Sequence, residues 1–170
     1  MTNSYQKTWI TPKVKIKESL IGGNGMFAIL PIDKGEKVVI WGGEYMGKPG
    51  ADIAIKQGKL VMRWDENLFS IEDRGDSPGY FINHSCESNL WMKDAFTLTA
   101  RKRIGIGEEI TADYCLWEAD ENFVSKWTCN CNSPDCRKLI TGKDWHNQDI
   151  QKKYFGHFSP LINKKIAKSR

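Results

Sequence analysis

The sequence predicts a mostly β domain of short strands, and three observations point there. Apolar residues come in short runs, often β-branched, with no long stretch of 3.6-residue period. Glycine turns separate these runs, at Gly22, Gly23 and Gly25, at Gly35, at Gly42 and Gly43, and at Gly105 and Gly107. The chain has 170 residues, the size of one domain that buries a real core without staples.

Val14 and Ile16 alternate with polar residues, as in a half-buried strand. The glycine turn follows, and residues 26–30 read as a second strand, closed by Pro31 and the turn at 33–35. Residues 37–41 are a third, β-branched in the middle. Pro49 and Gly50 precede a weak helical pattern over 51–56. Residues 60–64 and 68–71 form a hairpin around Asp65, Glu66 and Asn67. Residues 95–100 are another strand, leading through Arg101, Lys102 and Arg103 to the turn at 105–107 and a short strand over 110–112. Residues 117–126 have room for a helical turn or more. Residues 145–158 are either helical or irregular.

Lys and Arg number 25 against 21 Asp and Glu, a net charge of +4. Lys152, Lys153, Lys164, Lys165, Lys168 and Arg170 concentrate the basic charge near the end. That run reads first as a solvated tail and second as a contact for nucleic acid or an acidic partner. Apolar runs such as Val38, Val39, Ile40 and Trp41 are far too short to span a membrane. The opening MTNSYQKTWITPK lacks the apolar core of a secretory signal. Five cysteines, an odd number, argue against a disulfide framework and for an intracellular, reducing compartment, cytoplasm or nucleus.

Three segments carry chemistry. In the first, Gly22-Gly23-Asn24-Gly25-Met26-Phe27-Ala28, glycines let the backbone approach a ligand. It lacks the Lys-Ser/Thr pair of a phosphate loop and opens no helix, so alone it reads as a strand-linking turn. The second runs from Gly79 to Asn89 and sets Asn83, His84, Ser85 and Cys86 side by side. Alone it is a polar loop with a buried histidine; neighbouring residues rarely take the geometry of a Cys/His nucleophile. The third, residues 107–114, ends a strand on Asp113 and Tyr114, and alone the tyrosine could be plain packing.

In this order the segments resemble the SET-domain family of protein-lysine methyltransferases. The resemblance rests on the GxG turn before Phe27 and Ala28, the NHSC-x-x-N stretch from Asn83 to Asn89, and the GEE-x-T-x-DY stretch from Gly107 to Tyr114. Gly43-Glu44-Tyr45-Met46-Gly47 is similar to the family's Glu-Tyr-x-Gly stretch, and the whole covers residues 13–142. It implies a β-clip-like fold of small curved sheets with a knot-like crossing that brings Asn83, His84 and Tyr114 together. The expected division is a SET domain over 13–116, a post-SET zinc segment over 117–142 and a basic extension over 143–170.

The activity implied is transfer of a methyl group from S-adenosylmethionine to the ε-amine of a lysine in a protein, a histone tail or another basic protein. Tyr114 and Tyr45 are then the catalytic tyrosines. Gly23, Asn24, Gly25, Met26, Tyr80, Asn83, His84, Tyr114 and Trp127 are the cofactor-binding set, with Tyr80 where many relatives have Arg. Ala112 stands where many relatives have Phe or Tyr as a wall of the lysine channel. The smaller side chain implies room for higher methylation states.

Cys129, Cys131 and Cys136 supply three thiolates within eight residues, and structural zinc takes four ligands. The resemblance points to Cys86 as the fourth; His146 is a weaker rival. Cys115 remains as a packed thiol. Such a zinc is structural and orders residues 127–139. Glu118, Asp120 and Glu121, with Asp65, Glu66, Glu72, Asp73 and Asp76, are either a receptor for a basic peptide or solvated surface. Two other functions compete: a non-catalytic SET-like binding module, and a zinc protein that binds nucleic acid through its basic tail. The last leaves the three motif segments unexplained.

Overall fold

The computed structural model describes residues 6–169. Residues 1–5, which begin the stretch read for a secretory signal, and Arg170 of the basic run lie outside the described residues. In chain order the elements are β1 (Trp9–Ile10), β2 (Val14–Glu18), β3 (Asn24–Ala28), β4 (Lys37–Ile40), β5 (Glu44–Met46), α1 (Lys48–Lys56), β6 (Leu60–Asp65) and β7 (Leu68–Glu72). Then come β8 (Asn83–His84), β9 (Leu90–Met92), β10 (Thr97–Ala100), β11 (Glu109–Ala112), α2 (Gln148–Lys153) and α3 (Pro160–Lys168). Three small sheets result, ordered β1-β4-β10-β9, β2-β3-β11-β8 and β5-β7-β6. The mostly β expectation is met.

Burial follows the sequence pattern. Val38 and Val39 are both fully buried, so β4 is covered on both faces, as its unbroken apolar run requires. Pro49 falls in the first turn of α1, where its missing N–H is no loss. Ala51 and Ala54 are its buried residues, small enough for close approach of the helix. Four short strands, β1, β5, β8 and β9, were not read from the sequence.

Two readings change. Residues 117–126 form no helix. A 3₁₀ turn over Tyr114–Leu116 ends at Trp117, and the Asp120 carboxylate accepts from the Asn122 N–H, a local bond that competes with helix. Residues 145–158 resolve into the end of a 3₁₀ turn at Asp144–His146 and then α2, whose N-terminus is capped by Asn147.

The basic run is not a loose tail. Ser159 caps α3, and Leu161, Ile162 and Ile166 enter the main core beside Trp145, Tyr154 and Phe158. The lysines lie on the other side, with Lys164 paired to Asp65 at 2.7 Å and Lys165 to Glu121 at 3.5 Å. The extension is therefore core on one face and solvated on the other. Among the described residues no helix is long and apolar enough to cross a membrane. We predict that Ile162→Ala costs about 2–4 kcal/mol in urea unfolding, whereas exposed Lys168→Ala stays within about 0.5 kcal/mol.

Candidate active site and metal centre

The one parallel pairing among the described residues builds the site. β8 runs beside β11 with Thr111 opposite Asn83 and Ala112 opposite His84. Tyr114 follows β11 after one residue, Asp113, and its ring comes to 5.1 Å from the His84 ring. Its backbone N–H donates to His84 Nδ1 at 3.3 Å. Its hydroxyl donates to the Ile82 carbonyl at 2.9 Å. Burial pushes the phenol up to about 12, and neighbouring Tyr80 adds to the shift. The hydroxyl therefore keeps its proton at neutral pH, directed at Ile82, and its lone pairs are left to accept.

Tyr114 lies in the wall of a cavity of about 730 Å³. Trp41, Tyr80, Trp117 and Trp127 line it beside Tyr114. Trp117 is 5.6 Å from Tyr114 and 6.2 Å from Trp41, centroid to centroid. Trp127 stands perpendicular to Tyr114 at 6.3 Å and is 44% exposed, so part of its surface is free. The rim carries both signs of charge. Lys48 is paired with Asp52 and Arg63 with Glu66, each at 2.8 Å. Arg74 lies over the Tyr80 ring. Burial raises the Glu118 carboxyl above its usual range.

The expected cofactor residues divide into groups. Tyr80, Tyr114 and Trp127 line the cavity. Asn83 Nδ2 donates to the Asn24 carbonyl at 3.2 Å and to Glu109 Oε1 at 2.7 Å, which ties the glycine turn to β8. Gly23 has φ +55°, and a side chain on Gly25 would run into the Glu109 carboxylate. Met26 is fully buried in the core, so this segment can offer a ligand its backbone but not that side chain. The His84 ring is also buried. Its Nε2 lies 3.4 Å from Cys86 Sγ while Nδ1 accepts from Tyr114, so neither nitrogen is free for a cofactor.

Two of the expected residues lie outside the cavity lining. Tyr45 does not reach the cavity: it is 47% exposed on β5, against Phe96. After β4 the chain turns at Gly42 and Gly43, the latter at φ +105°, and β5 joins β7 in another sheet. Trp41, just before that turn, does line the cavity. An indole just after a strand with a fully buried centre, ahead of two glycines, was the available signal. Ala112 is fully buried and outside the cavity lining, so the wall beside Tyr114 is Trp117.

Cys86, Cys129, Cys131 and Cys136 come together from β8's end and the later loop. Their sulfurs all lie within 4.8 Å of one another. A tetrahedral zinc–thiolate site has sulfur–sulfur edges of about 3.8 Å, so a small contraction suffices. Burial pushes the Cys86 thiol up to about 11 and raises Cys129 too; a cation is what lets buried sulfurs ionise together. The loop turns tightly around the cluster, with Asn132 at φ 55° and Lys138 at φ 62°. His146 is not in the group; its ring stacks on Trp145. Cys115 is buried elsewhere, its thiol raised by burial.

The SET domain family model matches residues 23–115, more than half of the chain. The chain belongs to the SET-domain family. It is 31% identical over 140 residues to histone-lysine N-methyltransferase trithorax of Drosophila virilis, covering 75% of this chain and 4% of that protein. It is 28% identical over 151 residues to an H3 lysine-36 specific histone-lysine N-methyltransferase of Candida albicans, covering 77% and 17%. To an H3 lysine-4 specific one of Kluyveromyces lactis it is 30% identical over 142 residues, covering 75% and 14%. The chain thus spans less than a fifth of the length of these relatives.

The cluster geometry predicts one divalent metal per chain by native mass spectrometry. Cys129→Ser should cut occupancy to below about a tenth at the same free metal, while Cys115→Ser leaves it unchanged. Equal occupancy in the two variants would remove the cluster as the metal site.

Proposed function

We propose that this protein is an S-adenosylmethionine-dependent protein-lysine N-methyltransferase with a structural zinc on Cys86, Cys129, Cys131 and Cys136. The observation that carries the reading is Tyr114. Its hydroxyl proton is held by the Ile82 carbonyl at 2.9 Å, at the wall of an aromatic cavity. The cofactor supplies an electrophilic methyl group on a sulfonium.

The rest is the work of the chain's own residues. A free lysine has a pKa near ~10.4 and must lose a proton before it can attack. The aromatic walls from Trp41 and Trp117 exclude water, which disfavours the ammonium. The Tyr114 oxygen, with its proton committed, accepts an N–H of the incoming amine and points its lone pair along the line of attack. Trp127 offers its free face to the adenine, and Tyr80 and Asn83 with the backbone of residues 23–26 complete the cofactor's holder. A cavity of about 730 Å³ is in the range of small-molecule sites.

Relatives named for lysine 36 and for lysine 4 of histone H3 make a histone tail the first substrate to test. They also leave the particular lysine open. A histone substrate would place the protein at chromatin in the nucleus. Glu118 and Asp120 on the cavity wall suit a basic peptide. Contact with nucleic acid is less supported, since Lys164 and Lys165 of α3 are engaged with Asp65 and Glu121. The small Ala112 argues for higher methylation states, within the room that Trp117 leaves beside Tyr114.

The test is transfer of a labelled methyl group from S-adenosylmethionine to core histones. We expect transfer by the natural chain. Tyr114→Phe should lower kcat by about 100-fold or more, with cofactor affinity within about threefold by calorimetry. Cofactor binding without transfer to histones or to any lysate protein would favour a binding module. Undiminished transfer by Tyr114→Phe would remove the tyrosine from the reacting centre.

A further inference from the structure

Asp113, the residue before Tyr114, has no exposed surface. A carboxylate that deep must be compensated. Arg137 does so with two bonds, Nη1 to Oδ2 at 2.9 Å and Nη2 to Oδ1 at 2.6 Å. Tyr154 hydroxyl adds a bond to Oδ2 at 3.3 Å, and the Cys115 N–H one to Oδ1 at 3.3 Å. The guanidinium is fully used on this side, since its Nε donates to Asp144 at 2.8 Å. Asp144 is itself fixed by the Thr141 hydroxyl at 2.7 Å.

Arg137 follows Cys136, and its own N–H points at Cys86 Sγ, 3.4 Å away. Two of the four clustered cysteines therefore fix its backbone. From there the side chain crosses to Asp113 and grips the peptide that bears Tyr114. A second line runs from Cys86 Sγ through His84 to the Tyr114 N–H. The tyrosine is thus held from the cysteine cluster on both sides of its peptide unit, while its hydroxyl is held by Ile82.

We infer that Arg137 is a positioning residue for the methyl transfer, acting through Asp113 to set the depth and direction of Tyr114. The inference rests on the proposed function. Lysine methyl transfer depends on alignment, so a shift of well under an ångström at the tyrosine slows the chemical step without loosening the cofactor. A residue that merely staples the cysteine loop would behave differently. Its loss would lower metal content and cofactor affinity together with kcat.

The experiment compares the full chain with Arg137→Ala and Arg137→Lys on core histones. Metal content is read by native mass spectrometry, cofactor affinity by calorimetry and fold by circular dichroism. The expected result is a kcat lowered by about tenfold or more in folded, metal-loaded variants, with cofactor affinity and acceptor KM within about threefold. The Arg137 side chain is 18% exposed, so its vacated site is open to small molecules. Added ethylguanidinium should restore kcat of Arg137→Ala saturably, and ethylammonium at equal ionic strength should not. Arg137→Lys keeps the charge but not the paired geometry, and serves where the alanine variant fails to fold.

Natural kcat in either folded variant overturns the inference. So does a loss that appears only as lower metal content or weaker cofactor binding, and so does an alanine variant that guanidinium leaves unrescued. If the natural chain transfers no methyl group at all, the proposed function fails and takes this inference with it. Transfer by the natural chain and equally by the variants sinks the inference alone.

Discussion

The ion pair between buried Asp113 and half-buried Arg137 is the constraint on which the rest of the structure hangs. Two charges in an interior are costly unless every lone pair and every donor finds a partner. Here both Asp113 oxygens are bonded, and the Arg137 guanidinium divides its donors between Asp113 and Asp144. The pair joins three regions distant in sequence: the end of β11, the cysteine loop, and the start of the C-terminal extension. Removing Arg137 would strand the Asp113 carboxylate in the core, a defect of about 3–5 kcal/mol in such settings. The three regions therefore fold as one unit or not at all well.

The pairing of β8 with β11 is the second constraint. It puts Asn83 opposite Thr111 and His84 opposite Ala112, so residues about thirty apart in sequence become neighbours. Glu109, at the start of β11, then reaches both Asn83 and Ser19, which holds the glycine turn against the same sheet. His84 is the hinge between the two constraints. With Nδ1 accepting from Tyr114, its proton lies on Nε2, directed at Cys86 Sγ. Burial lowers its pKa to about 4, so the ring is neutral, which is the form this pattern of one acceptor and one donor requires.

Much of this was legible in the sequence, for definite reasons. The β-branched runs and glycine turns located β2, β3, β4, β6, β7, β10 and β11, because those strands are long enough to show a pattern. The strands that went unread have two or three residues each, and pairing by partners far along the chain makes them, not local preference. The four cysteines were grouped by ligand spacing and resemblance together, and the sulfurs do meet. The position of Tyr45 on β5 was not legible, because a motif fixes residue types, while the turn at Gly42 and Gly43 decides which sheet the tyrosine joins. Arg137 was not singled out at all. Nothing local marks Arg137 as a partner until Asp113, 24 residues away, is known to be a fully buried carboxylate.

The C-terminal extension shows why the reading by charge alone fell short. Counting lysines gave a solvated tail, but charge is a property of the outer face only. The inner face inserts Tyr154 with no exposed surface, and its hydroxyl meets both Ser88 and Asp113. Lys153, one of the counted lysines, donates to the Cys86 carbonyl at 2.7 Å and pairs with Glu87. The extension thus braces the same two points that Arg137 joins, the residue before Tyr114 and the backbone of a clustered cysteine. Tyr154 backs Asp113 and Asp144 backs Arg137, so Tyr114 gains a rigid backing from a segment that carries none of the family's motifs.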